Sequence, residues 1–255
     1  MGIKKNSENE KIRKSVDEFY RKISQDEYRT EVSPEEVSAS LGYSSEMMEQ
    51  LPKGTDLGLS CGNPLENFEM ENGETLIDLG CGTGKDLFLT RIKYPDSGIL
   101  YGLDRLAEMI LKAEKIRDMK KFKNIEFRQG TLTSMPFEPE SMDKAISNCV
   151  INLEPEKQFV YNELYRILKN GGKFYISDIM LKKELPEEWK KSEKMHNTWV
   201  GGALLEEELE KIIEKAGFKN IIILKDEVTD AYAEKWGYGL KIKEYIQRGM
   251  IMGEK

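Results

Sequence analysis

The sequence predicts an α/β fold in which a mostly parallel sheet carries helices on both faces. From residue 74 onward, short apolar runs alternate with stretches of helical period. Such alternation is typical of parallel strands joined by helices. One apolar run, Thr75–Leu79, leads directly into a turn with three glycines, as strands do at the ligand-binding edge of such sheets. The 255 residues are enough to bury a substantial core in one domain or two.

The N-terminal part, residues 1–65, is predicted to be a helical cap followed by a cysteine loop. Its first ten residues are polar and are expected to form a frayed tail, whereas Glu10–Gln25 has the apolar stripe of an amphipathic helix. Two short helices are expected to begin at Pro34 and near Ser45. A glycine-rich loop then carries Cys61.

The main domain is predicted over residues 66–226, with a lid insertion near 180–204. Strands are expected at 75–79, 99–103, 125–128, 144–147, 173–179 and 219–224, and helices at 86–94, 107–119, about 155–168 and 204–216. The glycines of Asn170-Gly171-Gly172 and Gly217 are expected to end the last two helices. Residues 227–255 form an extension in which Tyr232, Trp236, Leu240 and Tyr245 could line a helix, although two glycines interrupt it.

The charge balance argues against a nucleic-acid partner. Lys and Arg number 39 against 46 Asp and Glu, for a net charge of −7, whereas nucleic-acid binders are basic. We expect no membrane partner, because no apolar run approaches the length that spans a bilayer. The polar N-terminus lacks the apolar core of a secretory signal, and Asn6 stands where myristoylation needs Ser or Thr. These features predict a cytoplasmic protein.

Cysteine and histidine usage excludes several kinds of catalytic site. Three cysteines are an odd and widely spaced set, so reduced thiols are expected rather than a disulfide scaffold. The single histidine, His196, has no neighbouring Cys or His at zinc-ligand spacing. The nucleophile elbow of a Ser-His-Asp hydrolase is also missing. A conventional zinc or triad enzyme is therefore not expected.

The glycine turn Gly80–Gly84 is the most informative local feature. A phosphate-binding P-loop would need glycine in place of Leu79 and Ser or Thr in place of Asp86. The dinucleotide fingerprint fits poorly, because the third glycine comes one residue too early. The remaining form, Asp-x-Gly-x-Gly-x-Gly, resembles the first motif of S-adenosylmethionine-dependent methyltransferases. Asp78 before the turn suits the ammonium end of that cofactor.

A second acidic residue supports this interpretation. The next predicted strand ends at Asp104, 24 residues after Gly80. Since sequential strands usually lie side by side, Asp104 is expected to accept hydrogen bonds from a ribose diol in the same crevice. Strand, glycines and second-strand acid thus indicate one nucleoside site.

Several further segments resemble one narrower family, the arsenite methyltransferases. The most specific is Ser147–Leu153, which general methyltransferases rarely share. The others are Gly58–Pro64, Gly42–Ser44, Arg166–Gly172, Ile176–Ile179 and Gly202–Leu204. The similarity covers roughly residues 12–225.

The resemblance implies a Rossmann-like, seven-stranded methyltransferase sheet that binds S-adenosylmethionine. It places Asp78, Gly80, Gly82, Gly84, Asp104, Arg105 and Asn148 in the cofactor site, with Thr131 and Leu132 beside the adenine. It also implies that Cys61 and Cys149 are the catalytic residues that bind trivalent arsenic. Cys81, inside the glycine turn, is interpreted as structural.

The chemistry fits two thiolates independently of the family. Trivalent arsenic has a nucleophilic lone pair and prefers soft sulfur ligands. Two thiolates would orient that lone pair toward a sulfonium methyl group, and this orientation is the main catalytic gain. No general base is needed, because the nucleophile has no proton to lose.

One difference from the family leaves the acceptor open. Trp199 occupies the position at which relatives usually have a third arsenic-binding cysteine, and His196 is not expected to replace it. Either an exogenous thiol such as glutathione fills the third valence, or the substrate is already methylated, or it is not arsenic. The alternatives are a small-molecule C- or O-methyltransferase and a non-catalytic module that binds arsenic or the cofactor.

Overall fold

The structure, a computed structural model, describes residues 2–25, 27, 32–190, 192–235 and 239–255. The α-helices are α1 (Gly2–Ser24), α2 (Pro34–Ser40), α3 (Ser45–Glu49), α4 (Lys85–Lys93), α5 (Ala107–Lys120), α6 (Lys157–Ile167), α7 (Glu187–Lys190), α8 (Glu193–Asn197), α9 (Glu206–Ala216) and α10 (Asp230–Lys235). The strands are β1 (Leu76–Leu79), β2 (Leu100–Asp104), β3 (Ile125–Gln129), β4 (Met142–Asn148), β5 (Leu168–Leu181), β6 (Lys219–Asp226) and β7 (Ile246–Glu254). Short 3-10 turns lie at Ile151–Leu153, Val200–Gly202 and Leu240–Glu244.

The strands form one seven-stranded sheet in the order β3-β2-β1-β4-β5-β7-β6. Only β7 runs against its neighbours, so the predicted mostly parallel sheet is confirmed. Asp78 near the end of β1 lies in register with Gly102 of β2 and with Ile146 of β4. The carboxyl ends of these three central strands therefore meet at one edge, where open α/β sheets bind their ligands.

Helices cover both faces of the sheet, as the alternating side chains of β1 show. Ile77 and Leu79 pack in a core with α6 and α9. Leu76 packs on the opposite face with residues of α4 and α5. A third apolar cluster, which includes Cys61, Cys149, Trp199 and Tyr232, joins residues 185–203 to the end of β5.

Two sequence predictions near helix ends are wrong. The expected frayed tail is helical from residue 2, because α1 begins at Gly2 rather than at Glu10. The pair Gly171-Gly172 does not end α6, which already ends at Ile167; both glycines lie inside the long strand β5. The predicted starts at Pro34 and Ser45 are confirmed, with Ser33 and Ser44 as side-chain caps.

The C-terminal extension completes the sheet. It contains α10 and then β7, which lies between β5 and β6. Tyr232 lies on α10, whereas Leu240 and Tyr245 lie beyond it at a 3-10 turn; Trp236 lies outside the described residues. Within the part of the chain that the structure covers, no helix has the length and apolar character that crossing a bilayer requires.

Candidate active site

A cavity at the carboxyl edge of β1, β2 and β4 collects most of the predicted site residues. Those that line it are Asp78, Gly80, Gly82, Asp104, Arg105, Thr131, Leu132, Asn148 and Cys149. Two predicted residues do not line it. Gly84 faces the rings of Phe88 and Phe127, and Cys61 is fully buried beside Cys149.

Asp104 holds the glycine turn as well as facing the cavity. Its two carboxylate oxygens accept hydrogen bonds from the N–H groups of Gly82 and Leu106, each at 2.9 Å. Burial raises the pKa of this carboxyl, and the backbone donors oppose that rise. The carboxylate therefore fixes the position of the turn before any ligand arrives.

Asp78 is a buried carboxylate directed at the cavity. It is 3% exposed and accepts no hydrogen bond from any residue that the structure describes. Burial raises its pKa well above the usual value, and the charges of Asp86 and Asp104 add to that rise. A cationic ligand group would relieve this repulsion, so the arrangement favours an ammonium at this point.

The glycines of the turn serve different purposes. A Cβ on Gly80 would meet the side chain of Val150 at 2.5–2.7 Å, and its φ of +74° also favours glycine. At Gly82, by contrast, a Cβ would meet nothing within 4 Å. The open space for a ligand lies over Gly82, whereas Gly80 lets β1 approach the segment after β4.

Lys85 is a cavity residue that sequence reasoning missed. Its ammonium donates to Ser60 Oγ at 2.6 Å, lies 3.5 Å from an Asp56 carboxylate oxygen, and sits 3.9 Å from the centre of the Tyr43 ring. Among the described residues that line the cavity, it is the only lysine. Its position directly after the glycine turn, as the first residue of α4, was the signal available in the sequence.

Cys61 and Cys149 are joined in a disulfide, with their Cα atoms 5.7 Å apart. The expectation that all three thiols are free is therefore wrong for this pair and holds for Cys81 alone. Cys149 has a left-handed backbone (φ 58°) and donates its N–H to Ser177 O at 2.9 Å. Burial raises the pKa of the Cys81 thiol well above its usual value, as the nearby Asp104 charge also does.

Asn148 connects the cysteine loop to the cavity. Its amide nitrogen donates to Gly62 O at 3.0 Å and to Asp86 at 3.2 Å, and its amide oxygen accepts from Cys61 N at 3.3 Å. The residue thus holds the loop that carries Cys61 against the end of β4. A shift of the Asn148 side chain would therefore move the Cys61 loop relative to the cavity.

Asp178 is a buried carboxylate beside the two sulfurs, and Lys157 is a buried cation that interacts with it. A carboxylate oxygen of Asp178 lies within 4.8 Å of both cysteine sulfur atoms. Burial raises the pKa of Asp178 to about 7, although backbone N–H donors and Lys157 oppose the rise. Burial also lowers the pKa of Lys157 to about 8, although Asp178 and Glu154 oppose the fall.

Trp199 and His196 have different surroundings. Trp199 lines the cavity, is 1% exposed, and has a left-handed backbone with φ 69°. His196 does not line it; its Nε2 lies 3.1 Å from Lys190 O. The imidazole therefore contacts the backbone of its own segment, the end of α7, and does not face the cavity.

Helix α1 lies across the cavity and completes it with Val16, Asp17 and Tyr20. Its ion pairs reach both walls. Arg13 contacts Glu154 after β4, and Asp17 contacts Arg105 after β2 at 2.9 Å. The apolar stripe of this helix was visible in the sequence, but its partner surface was not.

Comparison with known proteins agrees with this geometry. Residues 70–217 match the family described as methyltransferase domain. The arsenite methyltransferase of Halobacterium salinarum is 36% identical over 219 residues, which are 86% of this chain and 56% of that protein. The human arsenite methyltransferase is 37% identical over 152 residues, which are 56% of this chain and 40% of that protein.

A solved structure adds to these relatives. The arsenic(III) S-adenosylmethionine methyltransferase of Chlamydomonas reinhardtii superposes with a TM-score of 0.64 at 26% identity, over 86% of this chain and 72% of that one. The chain spans about half the length of the curated relatives it matches. The predicted resemblance to arsenite methyltransferases and the predicted methyltransferase sheet are confirmed, and the chain belongs to the methyltransferase domain family.

Proposed function

We propose that the protein is an S-adenosylmethionine-dependent methyltransferase whose acceptor is trivalent arsenic held by the thiolates of Cys61 and Cys149. One observation carries this proposal. Two cysteines that are 88 residues apart in sequence have adjacent sulfurs, and Cys149 lines the same cavity as the glycine turn. A thiol pair beside a nucleoside-type cleft suits a thiophilic acceptor.

The cavity suits S-adenosylmethionine at both ends. Asp104 offers the second lone pair of each oxygen to a ribose diol, and Thr131 and Leu132 line the cavity on that side. At the other end, Asp78 provides a buried acceptor without a partner among the described residues, which suits an ammonium. Lys85 acts on the charge of Asp78, while its ammonium is held by Ser60 and Asp56.

The cysteine pair must be reduced before it can bind arsenic. Only thiolates ligate a soft metalloid, and the disulfide leaves neither sulfur available. A reducing cytoplasm, which we infer as the location, opens such bonds. We also propose an exogenous thiol such as glutathione as the reductant and as the third ligand of arsenite.

Binding then needs no acid–base residue. Each cysteine proton leaves with one arsenic hydroxide as water, so two As–S bonds replace two As–O bonds. Two fixed sulfurs restrict the direction of the arsenic lone pair, and Asn148 ties the Cys61 loop to the cleft. The cofactor, when bound, supplies an electrophilic sulfonium methyl group.

Serine substitutions test the proposal. In the presence of glutathione, Cys61→Ser and Cys149→Ser should each abolish methylation of arsenite and methylarsenite, because a hard hydroxyl does not replace a soft thiolate. Cys81→Ser should keep most of the activity, since the Cys81 thiol is buried in the glycine turn. Transfer of labelled methyl groups is the measurement. Full activity of Cys149→Ser would contradict the thiolate site.

A small organic acceptor is the second candidate function, and Trp199 favours it. An aromatic ring that lines the cavity beside Cys149 also suits a phenol or quinol. Assays without arsenic, using a panel of phenols and quinols, separate the two functions. Transfer to an organic acceptor with none to arsenic under any thiol condition would establish this second function.

A further inference from the structure

We propose that Trp199 and Tyr20 make this site selective for arsenicals that already carry one carbon substituent, such as methylarsenite or phenylarsenite. The inference rests on the proposed arsenic site and concerns its third valence. Cys61 and Cys149 fill two of the three valences of trivalent arsenic. The surroundings of the third valence then decide which arsenicals fit.

Apolar and aromatic side chains from the same cluster as Cys149 line the cavity, although the buried carboxylate of Asp178 lies within 4.8 Å of the two sulfurs. Trp199 and Cys149 belong to one buried apolar cluster and line one cavity. The Tyr20 ring from α1 meets Trp199 edge-on, with 6.3 Å between the ring centres. Leu59 and Leu153 line the same cavity and pack against the same cluster. A methyl or phenyl group is favoured in such a place, whereas a hydroxyl loses its water there.

The protein offers no third soft ligand at this position. Among the residues that the structure describes, Cys61, Cys149 and Asp178 form the one group of three potential ligands. Both Asp178 oxygens already accept backbone N–H groups, from Asn152 and Ile179, at 3.1 and 2.8 Å. A hard oxygen that is turned toward the backbone competes poorly for a soft metalloid.

The backbone conformation and the packing of Trp199 hold its indole ring in place. Trp199 and Cys149 both adopt left-handed conformations, with φ values of 69° and 58°. Such conformations are costly for side chains larger than glycine and persist only where packing holds them. Tyr232 contacts the Trp199 ring on a further side, with 6.3 Å between centres. The indole is therefore held where it is and does not give way to another ligand.

The binding step balances without an oxidant. An arsenical of formula R–As(OH)2 and two cysteine thiols give R–As(S–Cys)2 and two waters. Each thiol proton leaves with one hydroxide, and arsenic stays trivalent. The carbon group R keeps its bond to arsenic and lies against Trp199 and Tyr20.

Binding to the reduced protein without S-adenosylmethionine tests the inference. The full chain is reduced with a phosphine, the phosphine is removed, and bound arsenic is measured by equilibrium dialysis against arsenite, methylarsenite or phenylarsenite. Both organic arsenicals should bind about tenfold or more tightly than arsenite, as for one apolar group in a fitted pocket. Trp199→Ala and Tyr20→Ala should each lower that preference, measured as the ratio of the two affinities, about threefold or more.

Two features keep the test decisive. Trp189→Ala is the matched control, because Trp189 packs on Tyr245 at the edge of the same apolar cluster but does not line the cavity, and it should keep the full preference. Tyr20 lies on α1, outside the lid, so Tyr20→Ala serves if Trp199→Ala does not fold. Equal affinities for arsenite and methylarsenite, or an unchanged preference in the folded variants, would overturn the inference and leave the thiolate site standing. Failure of every arsenical to bind would overturn both proposals.

Discussion

Replacing Asp104 with alanine tests where the cofactor's ribose lies. The carboxylate already holds the N–H groups of Gly82 and Leu106 at 2.9 Å. Each oxygen keeps one lone pair for a ribose hydroxyl. Asp104→Ala therefore removes the ribose acceptors and the two backbone contacts at once.

The structure sets the size of the effect. Hydrogen bonds to a charged acceptor contribute about 1.5–3 kcal/mol, so cofactor affinity should fall about 10- to 150-fold. Leu106 is buried, and losing its acceptor should lower the free energy of unfolding by about 1–3 kcal/mol. Burial raises the pKa of Asp104. Wild-type affinity should therefore weaken as the pH falls and the carboxylate takes up a proton.

Calorimetric titration with S-adenosylmethionine and S-adenosylhomocysteine measures the affinity, and thermal unfolding of the free protein measures stability. Asp118→Ala is the matched control: it removes the same charge from a side chain that is 69% exposed on α5. The control should bind both ligands as the wild type does. Unchanged affinity in folded Asp104→Ala would show that the ribose binds elsewhere.

Two further predictions concern residues next to the cysteine pair, Gly62 and Asp178. A Cβ at Gly62 would overlap Ser177 Oγ, so Gly62→Ala should displace the Cys61 loop and weaken arsenic binding measured by equilibrium dialysis. Adding Ser177→Ala should restore most of the lost affinity, because it removes the overlapping hydroxyl. If the double variant bound arsenic no better than Gly62→Ala, this clash would not be the cause. Burial raises the pKa of Asp178 from 3.8 to about 7, so the folded state binds more protons between these values. The stabilisation is complete below about pH 4 and is lost as the pH rises through 7. Asp178→Asn should flatten this decline in urea unfolding measured from pH 4 to 8, and an unchanged slope would refute the assignment.

Local patterns predicted that the glycine turn and Asp104 meet at one edge of the sheet, where they line one cavity. The run Thr75–Leu79, the glycine turn and Asp104 lie close together in sequence, and parallel strands bring their carboxyl ends to one edge. The separate uses of Gly80 and Gly82 could not be predicted. Gly80 depends on Val150, a contact that only the folded chain makes.

Long-range contacts explain most of what the sequence did not show. The pairing of Cys61 with Cys149 spans 88 residues, and the contact of Arg13 with Glu154 spans 141. Periodicity shows that α1 has an apolar stripe, but not that its Tyr20 meets Trp199. Strand β7 was hidden because its glycines disrupt the apolar pattern: Gly249 and Gly253 leave room for the Met180 and Phe174 side chains of β5.

The end of β4 and the two residues after it give three consecutive residues three separate tasks. Asn148 ties down the cysteine loop, Cys149 is one half of the sulfur pair, and Val150 packs against Gly80 under the glycine turn. The separation between the proposed cofactor site and the proposed arsenic site is therefore set by consecutive residues of one strand end. The effects of substitutions at these three positions should be strongly non-additive. Each residue helps to fix the position of the other two, so a change at one alters the contacts of all three. To change the acceptor, Asn148, Cys149 and Val150 should be kept, and the residues that face them across the cavity should be substituted.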